Sequence, residues 1–259
     1  MNNRAGDGGA TAGVANLGMY PFADIRWAQD RFYEALRERL GWLPEALDHA
    51  ADVYATWTRP DLALGQACGW PVATTLRDRV RVLGTLTVAC PEADGHLYRS
   101  VIVSRRPAGL ADLAGSTAAV NSFDSLSGWI SLIAAVHGGG GTWRGPTVHT
   151  GAHVESLRAL QAGRADVAAI DSVTLWHVQR SMPELVDGLE VAGLGPLIPC
   201  LALVTSAGTS EHTVVELREA LLDTVLDPLV EPAARAMCVN GFVPLETEDY
   251  LTVLALGPA

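Results

Sequence analysis

Residues 116–137 read STAAVNSFDSLSGWISLIAAVH, and this stretch decides the class of fold. An apolar run ends at Val120, four small polar side chains follow within seven residues, and an apolar helical pattern begins near Trp129. This order predicts a buried strand, a hydroxyl-rich turn and a helix. Strands that lead directly into helices build α/β proteins, whose helices cross over a parallel sheet.

The same order recurs twice farther along the chain. PTVHT (146–150) is followed by a predicted helix that begins near His153 and ends before Gly163. DVAAID (166–171) is followed by a predicted helix over SVTLWHVQRSM (172–182). Three successive strand–helix units therefore favour one sheet in the middle of the chain.

Polar residues occupy the carboxyl ends of these three predicted strands, where open parallel sheets bind their ligands. They are Asn121, Thr150 and Asp171, and a helix N-terminus follows each of them. A helix N-terminus presents free N–H groups and a partial positive charge, so it binds anions without a basic side chain. The middle of the chain is therefore a candidate anion site.

The side chains around these ends suggest individual roles. Ser125 is placed to cap the first helix, because Gly128 lies three residues on, which leaves the hydroxyl of Ser127 free for a ligand. His153 starts a helix, where a cationic imidazolium is disfavoured, so we expect a neutral imidazole. Asp171 is expected either to cap the next helix or to accept a hydrogen bond from a ligand.

Composition excludes several classes of function. The chain has 259 residues and a net charge of −11, which disfavours nucleic acid as a partner. All 18 basic residues are arginine, which excludes Schiff-base and P-loop lysine chemistry. The four cysteines are widely spaced, so a zinc site is not expected, and no apolar run approaches the roughly 20 residues of a membrane span.

Outside the middle block, the pattern predicts a second α/β unit made of two separate segments. Residues 1–14 are rich in glycine and alanine and are predicted to be a disordered tail. They lack the apolar core of a signal peptide, so we expect either a cytoplasmic protein or a misplaced start codon. Residues 15–95 together with 196–259 are predicted to form lobe 1 and 96–195 lobe 2, with helices over most of the last 50 residues.

The middle block also carries a family resemblance. VNSFDSLSGW (120–129) and TGAHVESLRALQAGRADVAAIDSVT (150–174) resemble the phosphate, phosphite and phosphonate substrate-binding proteins of ABC transporters. The turn QACGWP (66–71) and the segment YRSVIV (98–103) are similar to two further motifs of that family. The resemblance spans roughly residues 15–245.

The resemblance implies a type II periplasmic-binding-protein fold, in which two lobes close on a ligand. Each lobe would be a mostly parallel sheet flanked by helices. It further implies a monomeric, non-enzymatic transport protein that needs no cofactor or metal, binds a small anion, is usually periplasmic and delivers its ligand to a permease. The ligand contacts implied by the matching motifs are Tyr20, Cys68, Gly69, Ser125, Ser127, Gly128, Thr150, His153 and Asp171.

Three other interpretations of the same residues remain open. Ser127, His153 and Asp171 could form a hydrolytic triad, although no G-x-S-x-G elbow is present. His149, His153 and Glu155 have a spacing that could bind a metal. A cytoplasmic sensor or binding protein for another organic ligand could use the same cleft, widened by Trp70 and Trp129.

Overall fold

The computed structural model describes residues 13–257, in which strands and helices alternate. The strands are β1 Val14–Asn16, β2 Leu62–Ala67, β3 Val80–Val88, β4 Ala93–Asp94, β5 Leu97–Tyr98, β6 Ser100–Ser104, β7 Ala118–Val120, β8 Thr147–His149, β9 Val167–Asp171, β10 Glu190–Leu194, β11 Ile198–Pro199, β12 Ala202–Ser206 and β13 Val239–Val243.

The α-helices are α1 Arg26–Arg39, α2 Val53–Trp57, α3 Gly69–Ala73, α4 Leu110–Leu113, α5 Ser131–Gly138, α6 His153–Gln161, α7 Ser172–Ser181, α8 Glu211–Leu226, α9 Glu231–Ala236 and α10 Thr247–Leu251. Short 3₁₀ turns cover Ala23–Ile25, Pro183–Leu185 and Thr252–Leu256. Leu126–Ile130 forms one turn of π-helix ahead of α5.

Two five-stranded sheets organise the molecule into two lobes. The first has the strand order β1-β2-β12-β3-β13 and the second the order β10-β6-β9-β7-β8. Helices α1, α8 and α9 bury an apolar cluster against the first sheet, with Phe32 and Leu36 of α1 fully buried. Helices α6 and α7 do the same for the second sheet through Leu157, Leu160 and Val178. The two-lobe α/β fold expected from the sequence is thereby confirmed.

Reversed strands interrupt the parallel order expected of both sheets: β6 runs opposite to the other four strands of the second sheet, and β12 and β13 run opposite to the other three of the first. Within the described residues, parallel pairing is limited to β1 with β2, β7 with β8 and β7 with β9. The other neighbours in both sheets run antiparallel, including β12 between β2 and β3. The reversal begins at β6 and β12, which enter their sheets by the segments that cross from the other lobe and not by a helical crossover within the lobe. β10 and β13 follow helices α7 and α8–α9 and run in the same directions as β9 and β12.

The segments that run from one sheet to the other meet in a small third sheet. It has the order β11-β5-β4, in which Ile198 pairs with Tyr98 and Pro199 with Leu97. Arg99 also donates a hydrogen bond to the carbonyl of Gly195 at 3.1 Å. The two crossings are therefore tied together between the lobes.

The lobes share a continuous apolar contact. One buried cluster joins Cys68 of the first lobe, Leu126 and Val173 of the second, and Cys200 beside the crossing. Phe22, which follows β1 in the chain, is buried in the core of the second sheet, as is Ile25. Burial of apolar surface on both sides holds the lobes together around the cleft.

Several local predictions differ from the structure. The apolar spacing of residues 23–42 predicts one amphipathic helix with Trp27 on its apolar stripe, whereas the segment begins as a 3₁₀ turn and Trp27 is 54% exposed. The sequence EPAARAMCVNG (231–241) predicts a single helix, but α9 ends at Ala236 and the chain then enters β13 at Val239. This strand was missed because VNGFV is short and contains a glycine, whereas its pairing with β3 depends on a distant segment.

The predicted disordered tail falls mainly on residues 1–12, which lie outside the described residues, and β1 already begins at Val14. Among residues 13–257, no helix has both the length and the apolar character that crossing a bilayer requires.

Candidate functional site

The turn after β7 holds Ser125 by two hydrogen bonds. Its Oγ accepts from the backbone N–H of Gly128 at 3.0 Å, which confirms Ser125 as the helix cap, and from Nδ2 of Asn121 at 3.0 Å. A hydroxyl has two lone pairs and one hydrogen, so both lone pairs of Ser125 are occupied. Its hydrogen is left to be donated to a further acceptor.

Ser127 is not free, contrary to the sequence-based expectation. Its Oγ lies 2.9 Å from Nε2 of His153, the first residue of α6. Burial lowers the pKa of His153, although Asp171 and the backbone of Ala169 oppose the shift. The imidazole is thus neutral near pH 7, and the pair of side chains links two of the three strand ends.

Asp171 is fixed by three donors. Its Oδ1 accepts from the backbone N–H of Thr174 at 2.9 Å, which caps α7, and its Oδ2 accepts from the hydroxyls of Tyr98 at 2.8 Å and Tyr20 at 3.2 Å. Burial, followed by the charge of Asp171, raises the pKa of both tyrosines well above the usual value, so both remain O–H donors. A carboxylate has about four lone-pair sites, so Asp171 retains capacity for a ligand.

These side chains line a single cavity of about 820 Å³ between the lobes. Six of the nine expected contact residues lie on its wall. They are Tyr20, Cys68, Ser125, Ser127, His153 and Asp171. The thiol of Cys68 also accepts a hydrogen bond from the backbone N–H of Leu126 at 3.3 Å, which joins the lobes at the inner end of the cleft.

The other three expected contacts are absent from the cavity wall. The hydroxyl of Thr150 lies 2.7 Å from that of Ser156 and braces the turn before α6. Gly69 packs beneath Leu126, where an added Cβ would lie 2.8 Å from the side chain. Gly128 is covered by Asn121, so both glycines allow close packing instead of facing a ligand.

One polar residue of the site, Tyr98, was missed, and Asn121 was expected at a strand end but not among the nine ligand contacts. Tyr98 lies in the recognised YRS segment but carries no pattern that reveals its bond to Asp171, 73 residues away. Asn121 lines the cavity, and its buried Oδ1 has no hydrogen-bond partner among the described residues. Its position at a strand end was the available signal.

The structure weakens the three other interpretations of these residues, which are a hydrolytic triad, a metal site and a cleft widened by tryptophans. Within residues 13–257, Asp171 makes no hydrogen bond to His153, so the Ser127–His153 pair lacks the carboxylate of a triad. The same part of the chain holds no group of three His, Cys, Asp or Glu side chains that could bind a metal. Trp70 packs near Gly257 and Trp129 packs on Phe123 and Trp143; neither lines the cavity.

Comparison with known proteins identifies this architecture. Residues 61–250 match the family model described as ABC transporter, phosphonate, periplasmic substrate-binding protein. No curated protein sequence matches the chain significantly.

Several solved structures share the fold at low sequence identity. PhnD1 from Prochlorococcus marinus, solved with methylphosphonate, is 14% identical with a TM-score of 0.73, over 91% of this chain and 93% of that one. A binding-protein component of an ABC phosphonate transporter from Pseudomonas aeruginosa is 15% identical with a TM-score of 0.74, over 94% and 85%. A Xanthomonas citri protein bound to ATP is 16% identical with a TM-score of 0.66, over 94% of both chains.

Proposed function

Because the chain belongs to the periplasmic substrate-binding protein family of phosphonate ABC transporters, we propose that it captures a small oxyanion of the phosphonate, phosphate or phosphite type. Membership implies a small-molecule ligand, a permease partner and a transport role instead of catalysis. The ligand would be held between lobe 1, residues 15–95 and 196–259, and lobe 2, residues 96–195.

One observation carries this proposal: Ser125, Ser127, His153 and Asp171 line the same cavity, although they come from three separate strand ends. In the first turn of the π-helix the N–H groups of Leu126 and Gly128 already bond Cys68 and Ser125, which leaves the N–H of Ser127 and the hydroxyl hydrogen of Ser125 for a ligand. Donors of this kind hold an oxyanion in a water-poor cleft without a basic side chain.

Acceptors in the same site favour a ligand that still carries a proton. Asp171 and Asn121 both line the cavity, and the Oδ1 of Asn121 is a buried acceptor without a partner among the described residues. Phosphate and phosphonates near neutral pH retain an acidic O–H that can donate to such an acceptor, whereas sulfate has none. An anion without a proton would face a carboxylate without compensation, at a cost of several kcal/mol.

Titration calorimetry tests the selection directly. We expect methylphosphonate, 2-aminoethylphosphonate, phosphate or phosphite to bind, and sulfate to bind at least about tenfold more weakly. Sulfate that binds as tightly as the best of these ligands would contradict the role of Asp171 and Asn121 as acceptors.

Substitution of Ser127 tests which hydroxyl acts on the ligand. The Ser127 hydroxyl bonds Nε2 of His153, and we propose that it turns its hydrogen to the ligand on binding. Ser127→Ala is therefore expected to weaken oxyanion binding by about 1–3 kcal/mol, the scale of a hydrogen bond to a charged group. Ser122→Ala is the matched control, because Ser122 lies in the same turn but bonds Asp124 and does not line the cavity. Equal affinities for both variants would assign Ser127 to shaping the turn alone.

A further inference from the structure

The cavity is larger than a small oxyanion requires. Its volume of about 820 Å³ lies in the range of roughly 300–1,000 Å³ that is typical for ligands of drug size. A water molecule occupies about 30 Å³ of liquid, and methylphosphonate has only five heavy atoms. Most of the space therefore lies beyond the reach of an oxyanion seated at Ser125.

The lobes already touch at the inner end of the cleft, where Tyr20 bonds Asp171 and the N–H of Leu126 bonds Cys68. At the other end, Tyr54 of the first lobe lines the cavity and is 51% exposed, so the cleft opens to solvent there.

The wall combines polar, apolar and charged side chains. One segment runs from Tyr20 through Phe22 to Asp24, and another from His153 through Val154 to Arg158. Each begins with a side chain of the oxyanion site, continues with an apolar side chain and ends at a charged one. Met182, which follows α7, adds to this apolar surface and packs with Phe22 and Val154 in one cluster.

From the apolar part of this wall we propose that the natural ligand is a tetrahedral oxyanion attached to an extended apolar body, either a phosphonate with a long or cyclic substituent or a phosphate monoester. This inference rests on the proposed function, because the oxyanion end is the site described above. The apolar body lies against Phe22, Val154 and Met182, a surface that methylphosphonate does not reach.

Calorimetry with a homologous series separates this inference from the proposed function. Each buried methylene is worth roughly a four-fold gain in affinity, so hexylphosphonate is expected to bind at least about tenfold more tightly than methylphosphonate. Hexyl phosphate distinguishes an ester from a phosphonate ligand. If methylphosphonate binds and neither hexyl compound binds more tightly, this inference is overturned and the proposed function stands. If none of these compounds binds, both the inference and the proposed function are overturned.

Variants of the apolar wall complete the test. Met182→Asp is expected to weaken hexylphosphonate binding at least about tenfold and to change methylphosphonate binding less than about twofold. Val154→Thr keeps the shape of the side chain, serves if Met182→Asp does not fold, and is expected to change affinities in the same sense. Leu229→Asp, at an exposed position outside the cavity, is the control. An equal loss for both ligands in the wall variants would overturn the assignment.

Discussion

At the scale of single residues, Asp171 combines the two roles that its position at a strand end suggests. It caps α7 through Thr174, and it also lies on the cavity wall. The tyrosine hydroxyls on its other oxygen hold the carboxylate in one orientation. A group this constrained can accept a hydrogen bond from a ligand with little loss of side-chain entropy.

Tyr98→Phe tests the importance of that constraint. Tyr98 is 2% exposed, and its loss leaves a buried carboxylate with one donor fewer. We expect the free energy of unfolding to fall by about 1.5–3 kcal/mol, the scale for bonds to charged groups, in urea titrations at pH 7.

Tyr33→Phe is the matched control for Tyr98, because the buried Tyr33 hydroxyl donates to a neutral acceptor, the carbonyl of Pro44, at 2.9 Å. The control is expected to lose about 0.5–1.5 kcal/mol. A loss for Tyr98→Phe no greater than that of the control would show that Asp171 does not depend on Tyr98.

His177 on α7 is a second residue with a clear physical consequence. Its ring is 2% exposed, it packs against Phe22 with centroids 4.8 Å apart, and its Nε2 has no hydrogen-bond partner among the described residues. Burial lowers the pKa of His177 to about 4, while nearby Asp24 and Asp171 oppose the shift and Arg180 adds to it. The folded protein therefore holds this imidazole neutral.

The stability of the protein should fall in acid because of His177. The folded pKa of about 4 lies below the ordinary value of 6.5, so protons bind the unfolded state first. The contribution of the neutral His177 to the free energy of unfolding is fully present above pH 6.5. It is lost as the pH falls toward 4, by up to about 3 kcal/mol. Urea titrations at pH 7, 5.5 and 4.5 measure this loss.

His177→Leu should flatten the pH dependence between pH 6.5 and 4. His212→Leu is the control, since His212 lies on α8 with its side chain 83% exposed. A slope that survives in His177→Leu would assign the acid sensitivity to other groups, of which His153 shifts in the same direction.

At the scale of elements, the turn of π-helix after β7 shapes the oxyanion end of the cleft. The N–H of Ile130 donates to the carbonyl of Ser125 at 3.1 Å, which closes the wide turn. Gly128 lies inside it, and a Cβ there would stand 1.9 Å from Oδ1 of Asn121 and 2.9 Å from Oγ of Ser125. The glycine therefore allows the amide and hydroxyl to meet above the helix N-terminus.

Gly128→Ala should disrupt this element. The added methyl displaces Asn121 and Ser125, and we expect a loss of about 1–3 kcal/mol in stability together with weaker phosphonate binding. Thermal unfolding and calorimetry measure the two effects. Gly138→Ala, at the end of α5 with open space around its Cα, should change neither, and a Gly128→Ala variant as stable as that control would rule out the packing argument.

At the scale of the whole molecule, the contacts between the lobes determine how the cleft closes. Tyr20 bonds Asp171 across 151 positions of the chain, and the two crossings are paired in the small sheet. A ligand that touches both lobes favours the closed state by the contacts it makes only there. Closure is therefore coupled to occupancy of the cleft.

Small-angle X-ray scattering can detect this coupling. We expect the radius of gyration to decrease when methylphosphonate saturates the protein, and the free Tyr20→Phe variant to be more expanded than the free parent because an interlobe bond is lost. Tyr33→Phe, whose hydroxyl bonds within the first lobe, should scatter like the parent. Identical profiles for all free and bound samples would contradict ligand-driven closure.

The local chemistry of the sequence determined most elements and the polar ends of the second-lobe strands. Apolar runs such as DVAAID and caps such as Ser125 depend on neighbours within a few residues, and such signals survive in any fold that buries them. For this reason β9, α6 and α7 were predicted to within about two residues, as was the position of Asp171 at a strand end.

Only the tertiary structure decided which of these groups meet. Tyr98 reaches Asp171, Ser127 turns to His153, and Thr150 turns away from the cavity because the packing of distant strands fixes their directions. The antiparallel strands β12 and β13 likewise depend on partners more than 30 residues away. Pairing between remote segments leaves no periodic trace in either segment, so folding alone established it.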